Sequence, residues 1–182
     1  MKVYNFSPGP AKLDSSIISK SQEAMYNFQN TGLSILENGH RSKEFEKLMN
    51  SLQENIRNIF NVPTNYFTLF LQGGATFQNT FIANNFDKRD KDLGCLVTGT
   101  WGKNTFDDFS KIRETKLIEL SQDEIENFVE SGEDLKNVDY LHLTSNETIN
   151  GVQLREFNKI NHDSLLIDMS SDIGSYRFEW DN

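Results

Sequence analysis

The sequence predicts an α/β protein with a mainly parallel sheet, and three observations carry that expectation. From residue 63 onward, short apolar runs alternate with helix-like stretches, the order expected of parallel strands joined by crossover helices. Five such strand-like runs occur, with helix-like stretches between several of them. Before residue 63 the patterning is helical only. We therefore divide the chain into an N-terminal helical segment, 1–62, and an α/β portion, 63–182.

Taken in order, residues 15–29 (SSIISKSQEAMYNFQ) read as a helix whose apolar face, Ile17, Ile18, Ala24, Met25 and Phe28, is uneven. Residues 43–60 are clearer. Phe45, Leu48, Met49, Leu52, Ile56, Ile59 and Phe60 recur at three- and four-residue intervals, the signature of an amphipathic helix, and Pro63 follows its end. Strands are expected at 67–71 (FTLFL), 94–98 (GCLVT), 116–120 (KLIEL), 139–144 (DYLHLT) and 164–168 (SLLID). Helices are expected at 75–85, 101–112 and 121–131. In such sheets ligands lie beyond the carboxyl ends of the strands, so those ends are the places to search.

Composition narrows the function classes. Hydrophobic residues at 36% and charged residues at 25% suit a folded, soluble protein, with the 14 Phe expected to supply much of the core. The net charge of −9 disfavours a broad nucleic-acid or anionic-membrane surface. Cys95 stands alone, so no internal disulfide forms, and its place in GCLVTG marks a buried thiol. No apolar run has the length of a bilayer span, and MKVYNFSPGP lacks a secretory signal. A cytoplasmic protein without nucleic-acid or membrane partners is expected.

At the strand ends, Gly73-Gly74 permits a sharp turn, after which Ala75 and Thr76 fall in the first turn of a helix, where free N–H groups favour an anion. A packing turn is the plainer alternative. Trp101, after VTG, is either core or a platform for a planar ring. Asn146, Thr148, Asn150 and Gly151 form a polar turn whose plain role is local hydrogen bonding. Asp168 ends an apolar strand, where a carboxylate needs donors or a cation. In GHRSKEF, His40 and Arg41 precede a helix for which Ser42 is the expected cap; they are a surface basic pair or an anion receptor. One ligand would use all of these groups: a planar, phosphorylated pyridine with phosphate at 75–76, ring on Trp101 and nitrogen at Asp168. Pyridoxal phosphate has that form.

NFSPGPAKL, GHRSKEF, LFLQGGAT, the Trp101 turn, SNETINGV and IDMSSD, in this order, resemble the phosphoserine aminotransferases, fold-type I, class V enzymes dependent on pyridoxal phosphate. The resemblance runs along essentially the whole chain. It implies transfer of an amino group between glutamate and 3-phosphohydroxypyruvate in serine biosynthesis, and a homodimer. It also implies roles for single residues. Ala75 and Thr76 hold cofactor phosphate, Trp101 stacks on the ring, Thr148 reaches the phenolic oxygen, and Asp168 pairs with the pyridine nitrogen. His40 and Arg41 receive the anionic groups of the substrates, a phosphorylated keto acid and glutamate. Gly39 stands where many relatives have Ser, and Thr76 where some have Arg.

The resemblance also implies a Schiff-base lysine a couple of dozen residues after the Asp. The 14 residues after Asp168, MSSDIGSYRFEWDN, contain no lysine, and Lys103 and Lys111 match no catalytic position. The expectation is a large domain truncated before that lysine, without the small C-terminal domain, and inactive alone. Unfinished sheet edge and apolar surface are expected with it. The alternatives are another class V activity such as cysteine desulfuration, which HRSKEF with NETINGV disfavours, and a non-catalytic remnant that binds a phosphorylated small molecule or oligomerises.

Overall fold

The computed structural model describes residues 3–7, 9–86, 92–131, 135, 137–177 and 179–180. They fall into two compact units, Met1–Leu69 and Phe70–Asn182.

In the first unit, α1 (Ser15–Tyr26) starts where the Asp14 carboxylate accepts the Ser16 N–H at 2.8 Å. It stops three residues short of the expected 29. The Asn27 side chain accepts the Gly32 N–H at 2.8 Å, and Gln29 and Asn30 turn left-handed (φ 50° and 59°), so polar side chains win the backbone from the helix. Phe28 is nevertheless buried. The second helix, α2 (Lys43–Phe60), matches its expected bounds. Ser42 Oγ accepts the Phe45 N–H at 3.2 Å, and left-handed Asn61 closes the helix ahead of Pro63. The Arg57 guanidinium then donates to the carbonyls of Pro63 (3.2 Å) and Tyr66 (2.6 Å), tying the following loop to the helix. Helical periodicity is fulfilled here, but full burial is not. Neither helix holds a buried residue, and Ile59 is 71% exposed.

Among the described residues, the second unit is built on a four-stranded parallel sheet. β1 (Asp92–Val97), β2 (Thr115–Glu119), β3 (Val138–Thr144) and β6 (Leu165–Asp168) lie in the order β2-β1-β3-β6. Between β3 and β6, β4 (Asn146–Glu147) and β5 (Val152–Gln153) form a short antiparallel ribbon. Side chains alternate across β1, and each set finds its own helix. Leu93, Cys95 and Val97 pack with Ala83 of α3 (Gly74–Asn85) and Phe109 of α4 (Thr100–Ser110). Leu96 packs on the other face with Ile125, Phe128 and Val129 of α5 (Gln122–Ser131). The sheet is covered on both faces, as parallel sheets are.

Two expectations are corrected. Residues 67–71 form no strand: no neighbour pairs with them among the described residues, and Phe67, Leu69 and Leu71 are 90%, 71% and 61% exposed. Apolar composition alone cannot make a strand without a ladder partner. The core is aliphatic rather than phenylalanine-rich, with Phe28, Phe109, Phe128 and Phe157 the buried ones among the described residues. Rings such as Phe77 and Phe81 lie outside it and touch one another at 6.1 Å between centroids.

Candidate functional site

β1, β3 and β6 are adjacent and parallel, so the segments that leave their carboxyl ends emerge side by side. Thr144 pairs with Asp168 in register, and Leu96 with Leu143. Three segments meet at this edge: Thr98–Gly102 entering α4, the Ser145–Gly151 corner, and the turns after Asp168.

The start of α4 is built by the corner beyond β3. Asn150 Oδ1 accepts the Thr100 N–H (2.9 Å) and hydroxyl (3.0 Å). The Glu147 carboxylate, fully buried, accepts the Trp101 N–H at 2.8 Å on one oxygen and the Gly102 N–H at 2.7 Å on the other. Three successive donors of the helix start are thus satisfied by side chains from residues 45 to 50 positions away. The approach is close. A Cβ on Gly99 would sit 2.7 Å from the Glu147 side chain and from Asn150 Oδ1, so only glycine fits. On the outer side, the Trp101 indole Nε1–H donates to the Thr148 hydroxyl at 2.8 Å. Trp101 is 44% exposed, with its indole held at the edge by that bond.

The start of α3 differs. Gly73 is its N-cap in a left-handed conformation (φ 109°) and, as a glycine, brings no capping side chain of its own. Ala75 and Thr76 occupy its exposed first turn. One turn further, Asn79 Nδ2 donates to Thr105 Oγ1 and Asp108 Oδ2, each at 3.3 Å, which joins the two helices. Of these two helix starts, α4 has its first donors filled by distant side chains, and the described residues record no such bond at α3. A helix start with free donors favours an anion.

Asp168 is half-buried at the end of β6, and its Oδ1 accepts the Ser170 N–H at 2.9 Å. Its carbonyl accepts the Ser145 N–H at 3.0 Å, and the Ser145 hydroxyl, 3.1 Å from that carbonyl, donates to the buried Asp172 at 2.6 Å. Asn146 Nδ2 donates to Ser171 Oγ, which donates back to the Asn146 carbonyl (2.8 and 3.1 Å). The Thr148 corner is therefore fastened on one side to the Trp101 turn and on the other to the Asp168 turn. Beneath it, His142 is buried against Phe109. Desolvation pulls its pKa down to about 4, with the Asp168 charge opposing the fall.

His40 and Arg41 form an exposed turn before α2 in the first unit, closed by a Ser42 N–H to Gly39 carbonyl bond of 2.9 Å. Lys103 pairs with Asp107 and lies over the Phe106 ring on α4, while Lys111, the C-cap of that helix, pairs with Asp108. Sequence reasoning missed Glu147, Ser145 and Asp172, and assigned Asn150 only a local turn. In fact Asn150 caps a helix 50 residues away. An acidic residue inside a polar corner was the available signal for Glu147, but nothing in the spacing identifies a partner so distant in sequence.

Residues 3–182 match the family model for class-V aminotransferases. A phosphoserine aminotransferase of Geobacillus kaustophilus is 38% identical over 182 residues, covering 98% of this chain and 50% of its own. The solved phosphoserine aminotransferase from Bacillus circulans subsp. alkalophilus superposes with a TM-score of 0.85 at 35% identity, over 98% of this chain and 50% of that one. A pyridoxal-phosphate-bound phosphoserine aminotransferase from Trichomonas vaginalis gives a TM-score of 0.77 at 30% identity, over 94% and 49%. The chain spans about half the length of the curated relatives it matches.

Proposed function

The chain belongs to the class-V aminotransferase family, and from that premise we propose that its sheet edge is the cofactor seat of a phosphoserine aminotransferase. The reaction is amino-group transfer between glutamate and 3-phosphohydroxypyruvate, with pyridoxal phosphate as cofactor, in serine biosynthesis. Bound there, the cofactor's pyridine ring supplies the electron sink for carbanion chemistry.

Each residue has a task set by its position. The N–H groups of Ala75 and Thr76 and the Thr76 hydroxyl receive phosphate at the glycine-led start of α3. The Trp101 face carries the ring, worth about 0.5–1.5 kcal/mol beyond area burial. Thr148 keeps that indole from turning through its 2.8 Å bond, and its hydroxyl would serve the cofactor's phenolic oxygen. The Asp168 carboxylate holds a proton on the ring nitrogen. His40 and Arg41 are the proposed receptors for the substrates' carboxylate and phosphate, Arg41 by bidentate contact. We place the N-terminal helical segment at 1–62 and the cofactor-binding portion at 63–182. A cytoplasmic homodimer is part of the same proposal.

The observation that supports the reading is the Trp101–Thr148 bond beside a helix led by Gly73, at whose start the described residues record no capping side chain. No lysine occurs after Asp168 in this sequence, so the test is cofactor binding rather than turnover. Titration of the 182-residue chain with pyridoxal phosphate, read by tryptophan emission, is expected to saturate. Asp168→Ala is expected to weaken binding about 10-fold or more, the size of a lost charged hydrogen bond. Borohydride treatment is expected to leave no stoichiometric adduct. Non-saturable quenching, equal in the wild type and Asp168→Ala, overturns the reading. Saturation without an adduct and with no requirement for Asp168 or Trp101 supports the remnant that binds phosphorylated small molecules instead.

A further inference from the structure

We propose that Glu147 is a positioning residue for this site: its carboxylate sets the pitch of the Trp101 indole and, through it, the placement of the Thr148 hydroxyl. The proposal rests on the cofactor reading above and deepens it by naming what holds the ring platform in place.

Glu147 is fully buried, and its carboxylate accepts the Trp101 and Gly102 N–H groups, at 2.8 and 2.7 Å. A carboxylate is rarely left inside a fold unless it is strongly bonded. Here a helix start provides two donors and the positive end of its dipole. The two bonds fix a plane through residues 101 and 102, and with it the direction in which the Trp101 side chain leaves the backbone. The neighbouring Thr148 then takes the indole Nε1–H. The Gly151 N–H closes the corner onto the Glu147 carbonyl at 2.7 Å, so side chain and backbone of one residue are clamped together. Gly99 leaves the room for this approach. Ring and hydroxyl are consequently one unit hinged on a single carboxylate.

Glu147→Gln keeps the shape but turns one acceptor into a donor facing a backbone N–H, so one of the two bonds is lost. In a Trp180→Phe background, Trp101 is the sole indole, and its Nε1–H resonance reports the bond to Thr148 directly. In Glu147→Gln that resonance is expected to shift and its hydrogen exchange to speed up about 10-fold. Thr148→Val, which removes the acceptor and leaves the carboxylate, should give the same signature. Pyridoxal phosphate should bind Glu147→Gln about 10-fold more weakly, with the indole quench reduced in amplitude. If Glu147→Gln does not fold, Glu147→Asp, which keeps the charge one methylene short, is expected to shift the same resonance. An indole signal and exchange rate equal to wild type in the folded variant overturn the proposal. An altered indole signal in a protein that binds no pyridoxal phosphate supports the positioning role and overturns the cofactor reading instead.

Discussion

Cys95 and His142 lie 4.0 Å apart beneath the candidate site, and both are held in their uncharged forms. Burial, reinforced by the Glu147 charge, pushes the Cys95 thiol up to about 12, while its S–H points to the Gly102 carbonyl at 3.6 Å. A thiol reagent such as dithionitrobenzoate is expected to leave Cys95 unlabelled in the native chain and to react fully on unfolding. Rapid native labelling overturns that assignment. His142 titrates normally, near 6.5, when unfolded, and at about 4 when folded. Between those values the unfolded chain holds the extra proton, so stability rises with pH across this window and is lost as pH falls through it. The full loss is about 3 kcal/mol at most. Urea midpoints measured from pH 7 to pH 4 should therefore fall more steeply for wild type than for His142→Asn, whose own baseline stability is lower. Parallel slopes overturn the assignment.

At the scale of elements, local chemistry was legible and distant pairing was not. The bounds of α2 follow from Ser42, the apolar period and Asn61 before Pro63, all adjacent in sequence. The strands of the main sheet follow from short apolar runs. Residues 67–71 have the same composition and fail as a strand, because pairing depends on a neighbour that composition does not reveal. The site divides the same way. Trp101, Thr148 and Asp168 were visible as strand-end residues, whereas the Glu147 clamp joins segments 45 and 46 residues apart. The turn into α3 gives a sharp test of the element itself. Gly73 lies at φ +109°, and a Cβ there would stand 2.4 Å from Phe77 Cβ; Gly74, at φ +60°, has nothing within 4 Å. Gly73→Ala is expected to cost about 1–2 kcal/mol from the left-handed backbone and more from the clash, whereas Gly74→Ala costs about 1 kcal/mol. Pyridoxal phosphate affinity should fall further in Gly73→Ala, since the helix start is what moves. Equal thermal shifts for the two variants overturn this account.

Over the whole molecule, burial is unevenly shared, and stability should follow it. Between Met1 and Leu69, Phe28 is the buried apolar side chain among the described residues, and α1 and α2 keep their amphipathic faces partly in water. Between Phe70 and Asn182, β1 and β3 hold Leu93, Leu96, Leu141 and Leu143 at 0–1% exposure, with helices on both faces of the sheet. A helix outside a core is marginal, since tertiary packing supplies most of its stability. Local openings then cost least where few apolar groups are buried. Native-state hydrogen exchange is expected to show the amides of β1 and β3 opening at the highest free energy, and those of α1 and α2 well below it. Leu141→Ala, which leaves a cavity at a fully buried position, should lower the β1 and β3 values by about 2–5 kcal/mol. Ile17→Ala, at a residue 49% exposed, should leave those strand values within about 0.5 kcal/mol. Uniform protection across α1, α2, β1 and β3 would mean that the helices draw stability from contacts their exposure does not reveal. In the expected case the strands that position Trp101, Thr148 and Asp168 form the most persistent part of the chain, and the site's geometry outlasts fraying of the amino-terminal helices.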